Sequence, residues 1–84
     1  MSYTIEILRV AQKQLAKIDR QHQTRIIDAI RALADEPRPA GSKKLSGRPA
    51  WRIRIGSYRV IYEIHDDRLI VMIITIGDRK QVYR

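Results

Sequence analysis

The sequence predicts an α+β domain in the order β-α-α-β-β-β, with a helical hairpin packed on a mainly antiparallel sheet. Three observations lead to this. Apolar residues recur at helical spacing between Val10 and Ala34. One run of strand formers precedes that region, and three more follow Pro49. Helices and strands are thus grouped along the chain rather than alternating, which is the α+β pattern.

Each element has its own signature. Tyr3-Thr4-Ile5-Glu6-Ile7-Leu8 alternates in part and reads as the first strand. Val10 to Asp19 carries Ala11, Leu15 and Ile18 at helical spacing. Gln21 to Ala34 follows, with Ile26, Ile27, Ile30, Leu33 and Ala34 on one stripe and Arg25, Asp28, Arg31 and Asp35 off it. The short junction at Asp19-Arg20-Gln21 implies an antiparallel helical pair, and Pro37 and Pro39 stop the second helix. Ala40 to Pro49, with two Gly, two Ser and a Pro, reads as a loop. Trp51 to Ile55 alternates, and Tyr58 to His65 is rich in aromatic and branched residues. Leu69 to Ile76 is almost continuously apolar, as in a central strand covered on both faces.

The chain has 84 residues, so one domain spanning residues 1–84 is expected. Hydrophobic content of 44% suffices for a core, which must be built without Phe. Cysteine is absent, which excludes disulfides and thiolate chemistry. His22 and His65 are isolated, so no metal and no cofactor is expected. No basic segment followed by a long apolar run opens the chain, and Leu69 to Ile74 is too short to span a bilayer. A soluble cytoplasmic protein is the resulting expectation.

Net charge is +8, and its distribution is uneven. Residues 1–36 hold six bases and five acids, and residues 63–84 hold four of each. Residues 37–62 hold Arg38, Lys43, Lys44, Arg48, Arg52, Arg54 and Arg59 and no acid. Such a field attracts phosphate backbones or an acidic protein partner. A solvated basic surface is the plain alternative, and Lys43 and Lys44 also fit as two flexible surface lysines.

Gly56-Ser57 separates two of the strands, and Gly at the first turn position suits a type II′ two-residue hairpin. On that register Arg54 faces Arg59, Ile53 faces Val60 and Arg52 faces Ile61. Trp51, Ile53, Ile55, Tyr58, Val60 and Tyr62 share one face, and Arg52, Arg54 and Arg59 share the other. Two arginines directly across a ladder repel by roughly 0.2–1 kcal/mol. A polyanion would offset this, because hydrogen bonds to charged groups contribute roughly 1.5–3 kcal/mol each. Glu63 lies on the same face and offers partial neutralisation. Gly77 is expected to turn the chain away from the sheet, leaving Arg79 near Arg59 and Tyr83 either over the same face or, with Val82, covering the sheet edge.

At these residues the chain resembles the RelE/ParE toxins of bacterial toxin–antitoxin pairs. The resemblance covers nearly the whole chain. It rests on Lys43-Lys44-Leu45-Ser46-Gly47, on the stretch from Trp51 through Arg52, Arg54, Gly56-Ser57 and Arg59 to Ile64, on Ile76-Gly77-Asp78-Arg79, and on Val82-Tyr83-Arg84. It implies a RelE-like fold. It also implies cleavage of messenger RNA in the ribosomal A site, by attack of a substrate 2′-hydroxyl on the adjacent phosphate without metal. The family's functional positions map onto Arg52, Arg54, Arg59, Arg79 and Tyr83. Lysines stand in the best-known member where this chain has Arg52 and Arg54. The tyrosine follows the glycine at shorter spacing, and a C-terminal helix found in some members is missing or reduced to a tail.

A guanidinium stays protonated and is no general base, but it stabilises developing phosphorane charge. Arg54 and Arg59 are therefore candidate phosphate stabilisers, and Arg79 a candidate electrostatic or acid partner. Tyr83 is the candidate base, its phenol of ordinary pKa about 10 shifted toward phenolate by nearby guanidiniums. Lys43, Lys44, Arg48 and Arg52 are candidates for positioning RNA. Expected partners are the ribosome, messenger RNA and a cognate antitoxin, RelB-like or other, whose acidic or amphipathic segment wraps the sheet and helices. Two other readings stay open: a ParE-like toxin acting on DNA gyrase, and a non-catalytic RNA- or ribosome-binding module.

Overall fold

Side-chain alternation and backbone pairing sort the chain into β1 (Thr4–Ile7), α1 (Arg9–Ala16), α2 (Arg20–Ala32), β2 (Lys43–Lys44), β3 (Trp51–Ile55), β4 (Tyr58–His65) and β5 (Ile70–Asp78). The computed structural model describes residues 2–78. Its sheet runs β1-β5-β4-β3-β2. β1 pairs with β5 in parallel, and the other three pairings are antiparallel. This is the expected α+β arrangement with one more strand. β2 lies inside the stretch expected to be loop, and two residues are too few to show an alternating pattern.

The helices are shorter than their apolar spacing suggests. α1 ends at Ala16 because Lys17 and Ile18 tighten the last turn, their amides bonding to the carbonyls of Gln14 and Leu15. Asp19 then takes an extended conformation and begins α2. Its carboxylate lies 2.6 Å from Nδ1 of His22 rather than capping the helix amides. The Gln23 side-chain amide donates to the Leu15 carbonyl across the turn and holds the two helices together.

α1 also completes the sheet edge. β1 stops opposite Ile73, and beyond it the Ile76 amide donates to Gln14 Oε1 at 2.7 Å. The Thr75 hydroxyl donates to the same oxygen. A side chain of α1 thus pairs a backbone group that β1 is too short to reach.

The continuous apolar run of β5 has a different cause from the one expected. Ile61 opposes Thr75 while Tyr62 opposes Ile73, so Ile74 is an extra residue bulged out of the ladder. The bulge switches parity: Val71 and Ile73 reach the core before it, and Ile76 after it. The helices cover one face of the sheet only, and Ile70, Met72 and Ile74 are half-buried outside the core cluster. Nor does Gly77 turn the chain away. β5 continues through Gly77 opposite Arg59 to Asp78 opposite Tyr58, because β4 offers partners that far.

The core joins Ala11, Ile26, Ile30 and Leu33 of the helical layer to Ile53, Val60, Tyr62, Val71, Ile73 and Ile76 of the sheet. Tyr62 is fully buried and donates its hydroxyl to the Pro37 carbonyl at 2.8 Å. Burial pushes its phenol up to about 12. The unfolded phenol titrates near 10, so this contribution is whole below pH 10 and is lost as pH rises from 10 to 12. Urea titrations in that window should show wild type losing about 2–3 kcal/mol more than Tyr62→Phe. Equal alkaline slopes for the two proteins would refute the assignment.

Candidate nucleic-acid interface

The β3–β4 hairpin has the register that the two-residue turn dictates. Ile55 opposes Tyr58, Arg54 opposes Arg59, Ile53 opposes Val60 and Arg52 opposes Ile61. Gly56 has a φ of 62°, and among the described non-glycine residues Leu69 alone has a positive φ. A positive φ at the first turn position and not the second is the type II′ turn. Ile53 and Val60 point to the helices, which leaves Arg52, Arg54 and Arg59 on the outer face.

These arginines differ in exposure. Arg54 is exposed, whereas Arg52 and Arg59 are each only 8% exposed. Both of the latter make interactions of their own. Gly77 lies opposite Arg59, so no side chain competes there with the long arginine. Arg54, Gly56, Ser57 and Arg59 line a small cavity of about 110 Å³ at the turn. A second cavity, of about 330 Å³, is lined by Lys43, Arg52 and Arg54 with Gly41 behind them. Arg54 is the wall common to both.

Lys43 joins this face because β2 pairs it with Arg52. Lys44 pairs with Trp51 and so belongs to the opposite face. Arg48 is exposed in the loop between β2 and β3 and lines neither cavity. Arg79 and Tyr83 lie outside the described residues.

Two charges expected to matter here are engaged elsewhere. Arg38 forms an ion pair with Asp66 at 2.8 Å and lies over the Trp51 ring at 5.4 Å. Asp66 also accepts from the Tyr3 hydroxyl at 2.5 Å. Arg38 first, then Tyr3, holds the Asp66 carboxyl below its ordinary range. The seven-base segment therefore sends one base to the β4–β5 turn. Glu63 lies 3.1 Å from Nε2 of His65, and Ile61 stands between it and Arg59 on β4. Glu63 thus does not face the arginines directly.

Sequence reasoning did not find the contribution of β2 or the place of Gly77 opposite Arg59. A glycine inside an apolar run was the available signal for the latter, since it marks close approach of a neighbour. Among the described residues no three His, Asp or Glu side chains gather where a metal ion could be held, and no helix is long and apolar enough to cross a membrane.

The arrangement can hold a phosphate between Arg54 and Arg59 and a flanking nucleotide against Lys43 and Arg52. Guanidinium forks suit that geometry. Comparison with known proteins agrees with the fold. The toxin RelG of Mycobacterium tuberculosis is 28% identical over 88 residues, covering 100% of this chain and 99% of the relative. The archaeal RelE–RelB complex from Pyrococcus horikoshii superposes with a TM-score of 0.85 at 27% identity, covering 98% of this chain and 100% of that one. The intact RelBE toxin–antitoxin complex of Escherichia coli gives 0.81 at 25% identity, covering 92% and 96%. The family model described as the ParE toxin of the type II toxin–antitoxin system parDE matches residues 5–83. The chain thus belongs to the ParE toxin family, within the RelE/ParE superfamily of type II toxin–antitoxin toxins.

Proposed function

We propose that this toxin is a ribosome-dependent messenger-RNA endonuclease acting in the cytoplasm. The observation that carries the reading is the Arg54–Arg59 pair, set across the ladder around a cavity on the face turned away from the core. Two arginines opposed across a ladder repel each other, and a phosphate between them removes the repulsion.

In this mechanism a substrate 2′-oxygen attacks the adjacent phosphorus and the 5′-oxygen leaves. The products are a 2′,3′-cyclic phosphate and a free 5′-hydroxyl. Arg54 and Arg59 stabilise the charge that builds on the non-bridging oxygens. Lys43 and Arg52 orient the flanking nucleotide, with Lys44 and Arg48 as outlying contacts. Tyr83, ionised to phenolate, takes the 2′-proton, and Arg79 stabilises the leaving 5′-oxygen, which takes up a proton from water. A chain with so little acid–base equipment fits a reaction whose substrate is oriented by the ribosome. A separate RelB-like antitoxin is the partner that restrains it, as in the relatives solved as toxin–antitoxin complexes.

The test is primer-extension mapping of messenger RNA after brief induction, with and without translating ribosomes. Cuts that require translation are expected. Intact messages with damaged DNA would move the function to gyrase, the second reading, which the ParE family match favours.

A further inference from the structure

The arginine face is not the only basic surface. Arg9, Lys13 and Lys17 stand at i, i+4 and i+8 along α1 and its C-terminal cap, all three exposed. α1 contains no acid to pair with them. Like charges at this spacing repel one another, and although Lys13 and Lys17 suit the C-terminal end of the helix, Arg9 in the first turn does not. The nearest acid beyond it, Asp19, is engaged with His22.

The stripe ends at a cavity of about 410 Å³ between the helical hairpin and the end of the sheet. Gln14 and Lys17 wall it on one side, and Tyr58, Ile76 and Asp78 on the other, with Ile18 against the core. Gly77, which also lines it, is the residue opposite Arg59. The cavity therefore lies on the helix-covered side of the sheet, across the end of β5 from the arginine face. An aromatic ring, apolar walls and a few polar groups make a nucleobase pocket. Tyr58 is steadied there by the His22 ring, 5.4 Å away between centroids. The Asp78 carboxylate on the rim, which has an interaction of its own, keeps phosphate out of the pocket.

We infer that an RNA strand leaving the Arg54–Arg59 cavity continues over the end of β5, seats a base against Tyr58, and runs its phosphates along Lys17, Lys13 and Arg9. Successive cations are about 6 Å apart along the helix axis, from a rise of 1.5 Å per residue, a spacing that suits neighbouring phosphates. The inference rests on the RNA reading above and extends it to the flanking strand.

The test compares binding of 2′-O-methyl oligonucleotides, which resist cleavage, of about three and about twelve nucleotides, lengths below and above a typical single-strand site. For R9A/K13A/K17A, the log affinity versus log salt slope with the long strand should fall by about 2, from 0.7 per phosphate. Its low-salt affinity should fall at least about ten-fold, with binding of the short strand unchanged. Tyr58→Leu should weaken the long strand about ten-fold without altering the slope, because stacking is uncharged. An unchanged slope for the triple variant, or equal losses at both lengths, overturns the inference. Unchanged RNA binding with weakened antitoxin binding also overturns it and assigns the stripe to an acidic protein. Arg54→Ala/Arg59→Ala with the short strand checks the arginine face separately: if short-strand binding survives, that reading fails while the slope still judges the α1 stripe.

Discussion

Arg59→Ala should lower ribosome-dependent cleavage by about 10²–10³-fold, the usual cost of removing one preorganised donor from a developing oxyanion. Arg59 combines low exposure with a place opposite Arg54 and Gly77. Its guanidinium is thus held in one place before substrate arrives, which is what makes such a donor effective. Arg59→Lys should recover only part of the rate, since an ammonium keeps the charge and loses the planar fork. Arg54→Ala supplies the contrast. It too should impair cleavage, yet it relieves cross-strand repulsion, so its unfolding free energy in urea should stay level or rise by roughly 0.2–1 kcal/mol. A residue retained for folding would lose stability and activity together. Near-wild-type cleavage by Arg59→Ala at saturating ribosomes would defeat the assignment.

Ile76→Ala should be among the most damaging single changes to the fold. Ile76 is 1% exposed and lies in the core opposite Val60, just past the bulge. Losing one large buried aliphatic costs about 2–5 kcal/mol, a large share of the 5–15 kcal/mol typical of a domain. Deleting Ile74 supplies the contrast. Ile74 is the extra residue, so its removal joins Ile73 to Thr75 and leaves Thr75 opposite Ile61, Ile76 opposite Val60 and Gly77 opposite Arg59. The deletion should therefore cost less than Ile76→Ala in urea unfolding. If the deletion is the worse of the two, Ile74 is not merely an extra residue of the ladder.

Local rules made the hairpin legible in the sequence. A two-residue loop fixes register, so the pairs from Arg52–Ile61 to Ile55–Tyr58 followed from Gly56-Ser57 alone. The apolar stripe of α2 likewise revealed its buried face, and Ile26, Ile30 and Leu33 are in the core. What could not be read depends on partners distant in sequence. The bulge at Ile74 is hidden because both faces of β5 are apolar there, so parity leaves no trace. Arg38 looks like one more base of a basic segment until Asp66, 28 residues on, is brought beside it. The pairing of Lys43 with Arg52 needs a strand too short to announce itself. The functional assignments rest on charge placement and family resemblance, and for Arg79 and Tyr83 on resemblance above all.

The parallel pairing of β1 with β5 also has a consequence in time. Thr4 finds its partner at Ile70, so the first strand made waits for the last. A chain emerging N-terminus first, at about 5–20 residues per second, spends several seconds with β1 unpaired and one edge of β5 still to come. Gly77 arrives later still, and with it the strand beside Arg59. Pairings this far apart along the chain fold slowly. The strand beside Arg59 is therefore the last of the sheet to be made, which leaves an interval in which a partner already present can meet the chain before the sheet closes.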